Sequence, residues 1–224
     1  MEVLASAGVD ARILRTRIQL RRAALHLAST DPIGSITVAD LTREAGINRA
    51  TFYKHADSPL QVLESALVED LDGMRASFLI EAANPTTDFT ELWREAAHGT
   101  AAHVAKFAPI YQQGFALTAD GILQSLLSRH ITNSMATLFR SQPQLLPESL
   151  SGSNEFYIDA YASALGHGLT AVLRVWLNSE NRDVEEYTSA VLNTLPVWML
   201  MSGATGGSPQ GSVLNVSSKE LERN

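Results

Sequence analysis

The stretch from Ile36 to His55, ITVADLTREAGINRATFYKH, constrains the fold more than any other part of the chain. Thr37 followed by Asp40 reads as a capping-box-like helix start. The hydroxyl accepts an orphan N–H, and a carboxylate sits in the positive first turn. Val38, Leu41 and Ala45 fall at i, i+3 and i+7, one face of a short helix. Gly46 follows the last helical residue, where a left-handed backbone costs glycine least. Ile47 reads as an apolar plug within the turn, and Asn48 as the N-cap of a second helix. Ala50 is small where two helices are expected to cross, and Phe52 returns to the core. Two short helices joined by a Gly-containing turn are a helix-turn-helix.

The charge distribution supports this. The chain has 224 residues and a formal net charge of −7. Residues 1–60 carry eight Lys/Arg against six Asp/Glu, and the remainder carries nine against eighteen. A mildly basic head thus precedes an acidic body, and the field at a contact surface matters more than the whole-chain charge. There is no cysteine, which excludes disulfides and thiolate chemistry. His98 and His103 are five apart, poor geometry for one metal on one helix face, and no His-Glu-x-x-His string occurs. No metal or cofactor is expected. Neither a nucleophile–base pair nor a phosphate loop appears, so the chain does not read as an enzyme. The N-terminus lacks the layout of a signal peptide, and no apolar run reaches the ~18 residues of a membrane span. A cytoplasmic protein without a membrane partner is the expectation.

Helical periodicity runs almost throughout. Ile13, Leu14, Ile18, Leu25 and Leu27 predict a first helix ending near Ser29, followed by a turn at residues 31–34. Ser58-Pro59-Leu60-Gln61 is a strong start signal, with Ser as N-cap, Pro at the first helical position and Gln three residues after the cap. The helix it opens carries Leu63, Leu67, Leu71, Met74 and Phe78 and ends near Asn84. Further helices are expected over residues 88–107, 109–117, 120–141, 154–179 and 184–201, with a loop over 142–153. Pro196 should kink the last helix. Residues 203–224 are Gly/Ser-rich and polar and read as a flexible tail. Three segments result: a head over 1–57, a body over 58–202 and the tail.

Taken with LRRAALHLAST before it and SPLQVLESAL after it, the Ile36–His55 string resembles the tetracycline-repressor (TetR) family of transcriptional regulators, specifically over residues 12–70. The resemblance implies an all-α homodimer, with a three-helix helix-turn-helix head and an antiparallel helical body that binds a small-molecule effector. The chain departs from the family at two places. Ala56 stands where members usually carry an aromatic residue, and Pro59 where they usually carry a lysine.

In such a head the second helix of the motif reads double-stranded DNA. Arg49 is the candidate for a guanine edge, through a bidentate fork, and Thr51 for a thymine methyl. Thr37 at a helix N-terminus suits a phosphate, and Tyr53, Lys54 and His55 suit the DNA backbone. Val38, Asn48 and Ala50 complete the candidate surface, and Arg12, Arg15 and Arg17 could reach the adjacent backbone or minor groove. In the body, Trp93, His98, His103, Phe107, Tyr111, Phe115 and His130 supply the aromatic and polar mixture of a ligand pocket. The helix from residue 154 has an apolar stripe (Tyr157, Tyr161, Leu165, Leu169, Val172, Trp176) and a small-residue stripe (Ala160, Ala164, Gly168, Ala171). With Trp198 of the last helix, Tyr157, Tyr161, Ala164, Gly168, Val172 and Trp176 are the expected dimer interface. The expected function is sequence-specific transcriptional regulation, with repression relieved by a small molecule. The alternative is a helical scaffold protein whose helix-turn-helix no longer binds DNA.

Overall fold

The computed structural model describes residues 2–115, 121–146 and 155–201. Among these the chain is all-α, with no strand. Helix α1 spans Glu2–Thr30, α2 Val38–Ala45 and α3 Arg49–Phe52. The connector α4 covers Pro59–Ala82, α5 Phe89–Lys106, α6 Ala108–Gly114 and α7 Ile122–Ser141. Helices α8 (Glu155–Leu177), α9 (Val184–Thr194) and α10 (Val197–Met201) complete the body. No helix among the described residues is long and apolar enough to cross a membrane.

The local start and stop signals are made as the residues dictate. The Thr37 side chain accepts from Asp40 N while the Asp40 carboxylate accepts from Thr37 N, a reciprocal capping box. Gly46 adopts φ 66°, ψ 32° and returns its N–H to α2, a left-handed conformation that L side chains rarely take. The Asn48 Oδ1 accepts from Thr51 N at 2.7 Å and starts α3. Ser58 caps α4, Pro59 fills its first turn, and the Gln61 side chain accepts from Asp57 N at 2.6 Å.

Three expectations are corrected. Helix α1 begins at Glu2, well before Ile13. Its buried side is Thr16, Leu20, Ala23, Ala24 and Ala28, while Ile13, Leu14 and Ile18 are exposed. Small residues on that side let α4 and α2, its main partners, approach. Ala50 is exposed rather than at a helix crossing. Pro196 breaks the last helix instead of kinking it. Leu195 is extended at φ −71°, ψ 139°, as the residue before a proline prefers. Residues 203–224 lie outside the described residues.

One buried cluster runs from the head (Leu20, Leu41, Phe52, Ala56) through α4 (Leu63, Leu67, Leu71) into the body. Ala56, the departure from the family's aromatic, is 8 % exposed within it. The head is also tied to the body by charge. Arg21 of α1 pairs with Glu69 and with Asp70, at 2.7 Å to the latter, and Lys106 of α5 donates to Asp70 at 2.9 Å. Burial would raise the Asp70 carboxyl, but the hydrogen bonds from Lys106 and Arg21 prevail and hold it below its ordinary value. Behind it, His103 Nε2 and the Tyr111 hydroxyl share a hydrogen bond at 2.8 Å.

Burial pushes the His103 pKa down to about 4, and the Asp70 carboxylate, 3.9 Å from Nδ1, only partly opposes this. The ring is therefore neutral at physiological pH. Between pH 6.5 and about 4 the unfolded chain takes up a proton that the folded His103 refuses, so stability falls across that window. Denaturant midpoints measured from pH 7 to 4 should show this loss. The His103→Gln protein, which keeps a polar group beside Tyr111, should lose less stability over the same range. An unchanged pH slope in the variant would mean that other groups carry the acid sensitivity.

Candidate nucleic-acid interface and body cavity

Helix α3 is only four residues long, closed by a turn through Tyr53–His55, so it cannot hold itself together by its own hydrogen bonds. It is held at one end by the Asn48 cap and at the other by Phe52, which has no exposed surface. This leaves Arg49, Ala50, Tyr53 and Lys54 on the outside. Tyr53 is 60 % exposed, its ring edge-on to Phe52 at a centroid distance of 5.2 Å. Neither Arg49 nor Lys54 forms an ion pair among the described residues, whereas Arg43 pairs with Asp40 at 2.7 Å and His26 with Glu44 at 2.9 Å. Arg49 and Lys54 thus stand without an acidic partner among the described residues on the motif's second helix and the turn that ends it. Arg12, Arg15, Arg17 and Arg22 on α1 are also exposed and form no ion pair among the described residues.

The remaining head candidates are placed differently from expectation. Thr51 and His55 are half-buried. Val38 packs against the core cluster, because it faces inward with Leu41 and Ala45. The Asn48 side chain is engaged in capping. Thr37 is exposed, but both its N–H and its hydroxyl point to the Asp40 carboxylate. Those hydrogen bonds and the one from Arg43 hold the Asp40 carboxyl below its usual range. A phosphate at Thr37 would have to displace a carboxylate.

The body holds a cavity of about 1130 Å3 between α4, α5, α7, α8 and α9. Of the seven candidate pocket residues, Trp93 and His130 line it. The others do not. His98 sits beside Glu185 at 3.1 Å, His103 and Tyr111 are buried together, and Phe107 and Phe115 pack around that pair. The wall is instead completed by Met74 and Phe78 of the connector, Leu127, Ile131 and Met135 of α7, Leu169 of α8, and Tyr187 and Val191 of α9. Met74 and Phe78 were visible as an apolar period. Periodicity alone does not tell a cavity wall from a filled core.

On α8, the apolar stripe turns inward at Leu165, Leu169 and Trp176 but not at Tyr157. Leu165, Leu169 and Trp176 are buried in the chain, with Trp176 donating to the Asp183 carbonyl at 2.8 Å and packed on Tyr187 at 5.2 Å. Trp176 is therefore an anchor within the chain. Tyr161 and Trp198 are half-buried and pack edge to face, at 6.0 Å. Val172 and Gly168 are half-buried as well. The outward face is the small-residue stripe, Ala160, Ala164 and Ala171, flanked by Tyr157 and by the exposed Phe156 and Val175.

A helix-turn-helix head, a connector helix and a helical body enclosing a cavity make an all-α, two-part architecture. The chain has the TetR-type fold. A putative TetR-family transcriptional regulator from Syntrophomonas wolfei aligns with 80% of this chain and 91% of its own at a TM-score of 0.59 and 13% identity. RolR, solved in complex with the ligand resorcinol, aligns with 88% of this chain and 97% of its own at 0.55 and 14%. The dihydroxyacetone kinase operon activator DhaS aligns with 80% and 92% at 0.51 and 17%. In sequence, 60 residues are 38% identical to YxbF, an uncharacterised HTH-type transcriptional regulator of Bacillus subtilis, covering 26% of this chain and only 16% of that protein. No family model matches the chain.

Proposed function

We propose that the chain is a sequence-specific DNA-binding transcriptional regulator that acts as a homodimer and loses its operator when a small molecule occupies the body cavity. The observation that carries this reading is the capped helix α3, with unpaired Arg49 and Lys54 beside exposed Tyr53. The local likeness to an HTH-type regulator and the fold shared with a resorcinol-bound protein support it. Residues 1–57 form the DNA-binding head, and the body carries the effector and dimer sites. Two copies would pair through the small-residue face of α8, because small side chains let two helix backbones approach, and an isologous pair places two heads on one duplex. Two half-sites lie about one DNA turn apart, ~34–36 Å, or a multiple of it. An effector weakens operator binding only by its differential affinity for the two body conformations.

A gel shift on the DNA upstream of the protein's own gene tests the reading. Specific retardation that weakens steeply with salt is expected. No retardation at low salt would favour the scaffold alternative. Arg49→Ala should cost roughly 1–3 kcal/mol of discrimination at a single base pair. An equal loss on every sequence would make Arg49 a phosphate contact instead. Lys54→Ala should flatten the slope of log affinity against log salt by about one unit, and an unchanged slope would remove Lys54 from the interface.

A further inference from the structure

The body cavity is one-sided in charge. Much of its wall is apolar: Leu71, Met74, Trp93, Leu127, Met135 and Leu169. The carboxylates of Glu69, Asp70, Glu81, Asp88, Glu91 and Glu95 also line it, against one guanidinium, Arg75. That cation is already engaged, pairing with Asp72 at 3.0 Å. Near the head, Glu69 and Asp70 are neutralised by Arg21 and Lys106.

At the other end the balance differs. Glu91 pairs with Arg94 at 3.3 Å. Asp88 caps α5, and Glu81 accepts from the Thr87 hydroxyl at 3.1 Å and the Asn84 amide at 3.4 Å. Glu81, Asp88 and Glu95 are exposed and meet no cation among the described residues. His130 supplies no positive charge at neutral pH, because burial, with Arg75 nearby, lowers its pKa. Phe78 stands half-buried in the wall, backed by the buried Trp93 with ring centroids 4.8 Å apart.

We infer that the molecule this cavity takes is an organic cation, an apolar and preferably aromatic body bearing a protonated amine or quaternary ammonium. The inference rests on the reading of the cavity as the effector site, and it assigns that site's ligand class. Like charges around a cleft with low-dielectric walls concentrate ions of the opposite sign. Aromatic faces attract a cation further. An anion entering the same space would lose water and, among the described lining residues, meet one guanidinium that is already paired.

The test uses the full-length protein and three fluorescent probes of one shape: 1-pyrenemethylammonium, 1-pyrenemethanol and 1-pyrenecarboxylate. Anisotropy titrations at low salt should show the ammonium binding about tenfold tighter than the alcohol, with the carboxylate weakest. In the Glu81→Gln/Glu95→Gln protein, both changes being on exposed side chains, the alcohol should bind as before and the ammonium's advantage should shrink to about threefold or less. The inference is overturned if the carboxylate binds as well as the ammonium, if the advantage survives both substitutions, or if no probe binds. Operator retardation by the same protein is read separately, so the DNA-binding proposal can stand while this one falls.

Discussion

Replacing Phe52 by alanine should cost about 3–5 kcal/mol of stability, the range for emptying a buried phenylalanine site, and should remove operator binding before it unfolds the body. Phe52 has no exposed surface and belongs to the same buried cluster as Leu20, Leu41 and Ala56. It is the last residue of a four-residue helix, too short to persist unsupported. The cap at Asn48 fixes the start of α3, and Phe52 is the one side chain of the helix that is buried. The Tyr53 ring lies against Phe52, so the truncation also frees a side chain proposed to meet DNA. Denaturant unfolding followed by circular dichroism measures the stability term, and gel retardation below the unfolding midpoint measures the binding term. Full operator affinity in a folded Phe52→Ala protein would show that α3 is held by something other than this side chain. A smaller loss is expected for Phe52→Leu, which refills most of the volume.

The head's design was legible because its determinants are local. A hydroxyl three residues before a carboxylate, a glycine after the last helical turn, and Ser-Pro before an apolar period all act through bonds spanning two to four residues. Thr37, Gly46, Asn48 and Ser58 accordingly do what their positions dictate. The body was legible only as a set of helices. Its two-stripe helix α8 shows why. Both stripes are compatible with burial, and only the packing against α7 and α9 decides that Leu165 and Trp176 go inward while Ala160 and Ala164 stay outside. The cavity posed the same difficulty. Its wall draws on α4, α5, α7, α8 and α9, so its composition is a tertiary fact that no single helix period contains. The early start of α1 was hidden for another reason: residues 2–10 are mostly Ala, Val and Gly with no clear period.

Gly166→Ala is expected to destabilise the body although it places alanine, the best helix former, inside a helix. In an exposed helix the change would gain roughly 0.5–1 kcal/mol. Here an added Cβ would lie 2.1 Å from Thr132 Oγ1 and 2.9 Å from both the Ser128 carbonyl oxygen and Thr132 N. The first neighbour is a side chain that can turn away, but the other two are α7 backbone. Helices α7 and α8 form the most extensive pair in the molecule, and they would have to separate along that contact. Overpacking of this kind costs about 1–3 kcal/mol or more, which outweighs the helix-propensity gain. A double-mutant cycle with Thr132→Ala divides the cost. Removing Oγ1, itself buried without a hydrogen-bond partner among the described residues, should recover only part of the loss, because the backbone contacts remain. Complete recovery would place the whole collision in the Thr132 side chain, and no loss at all would mean the two helices are free to move apart. The separation also has a functional reading. Leu127, His130, Ile131 and Met135 on α7 face Leu169 on α8 across one cavity, so a wedge at Gly166 should alter pyrene-probe affinity even where the protein remains folded.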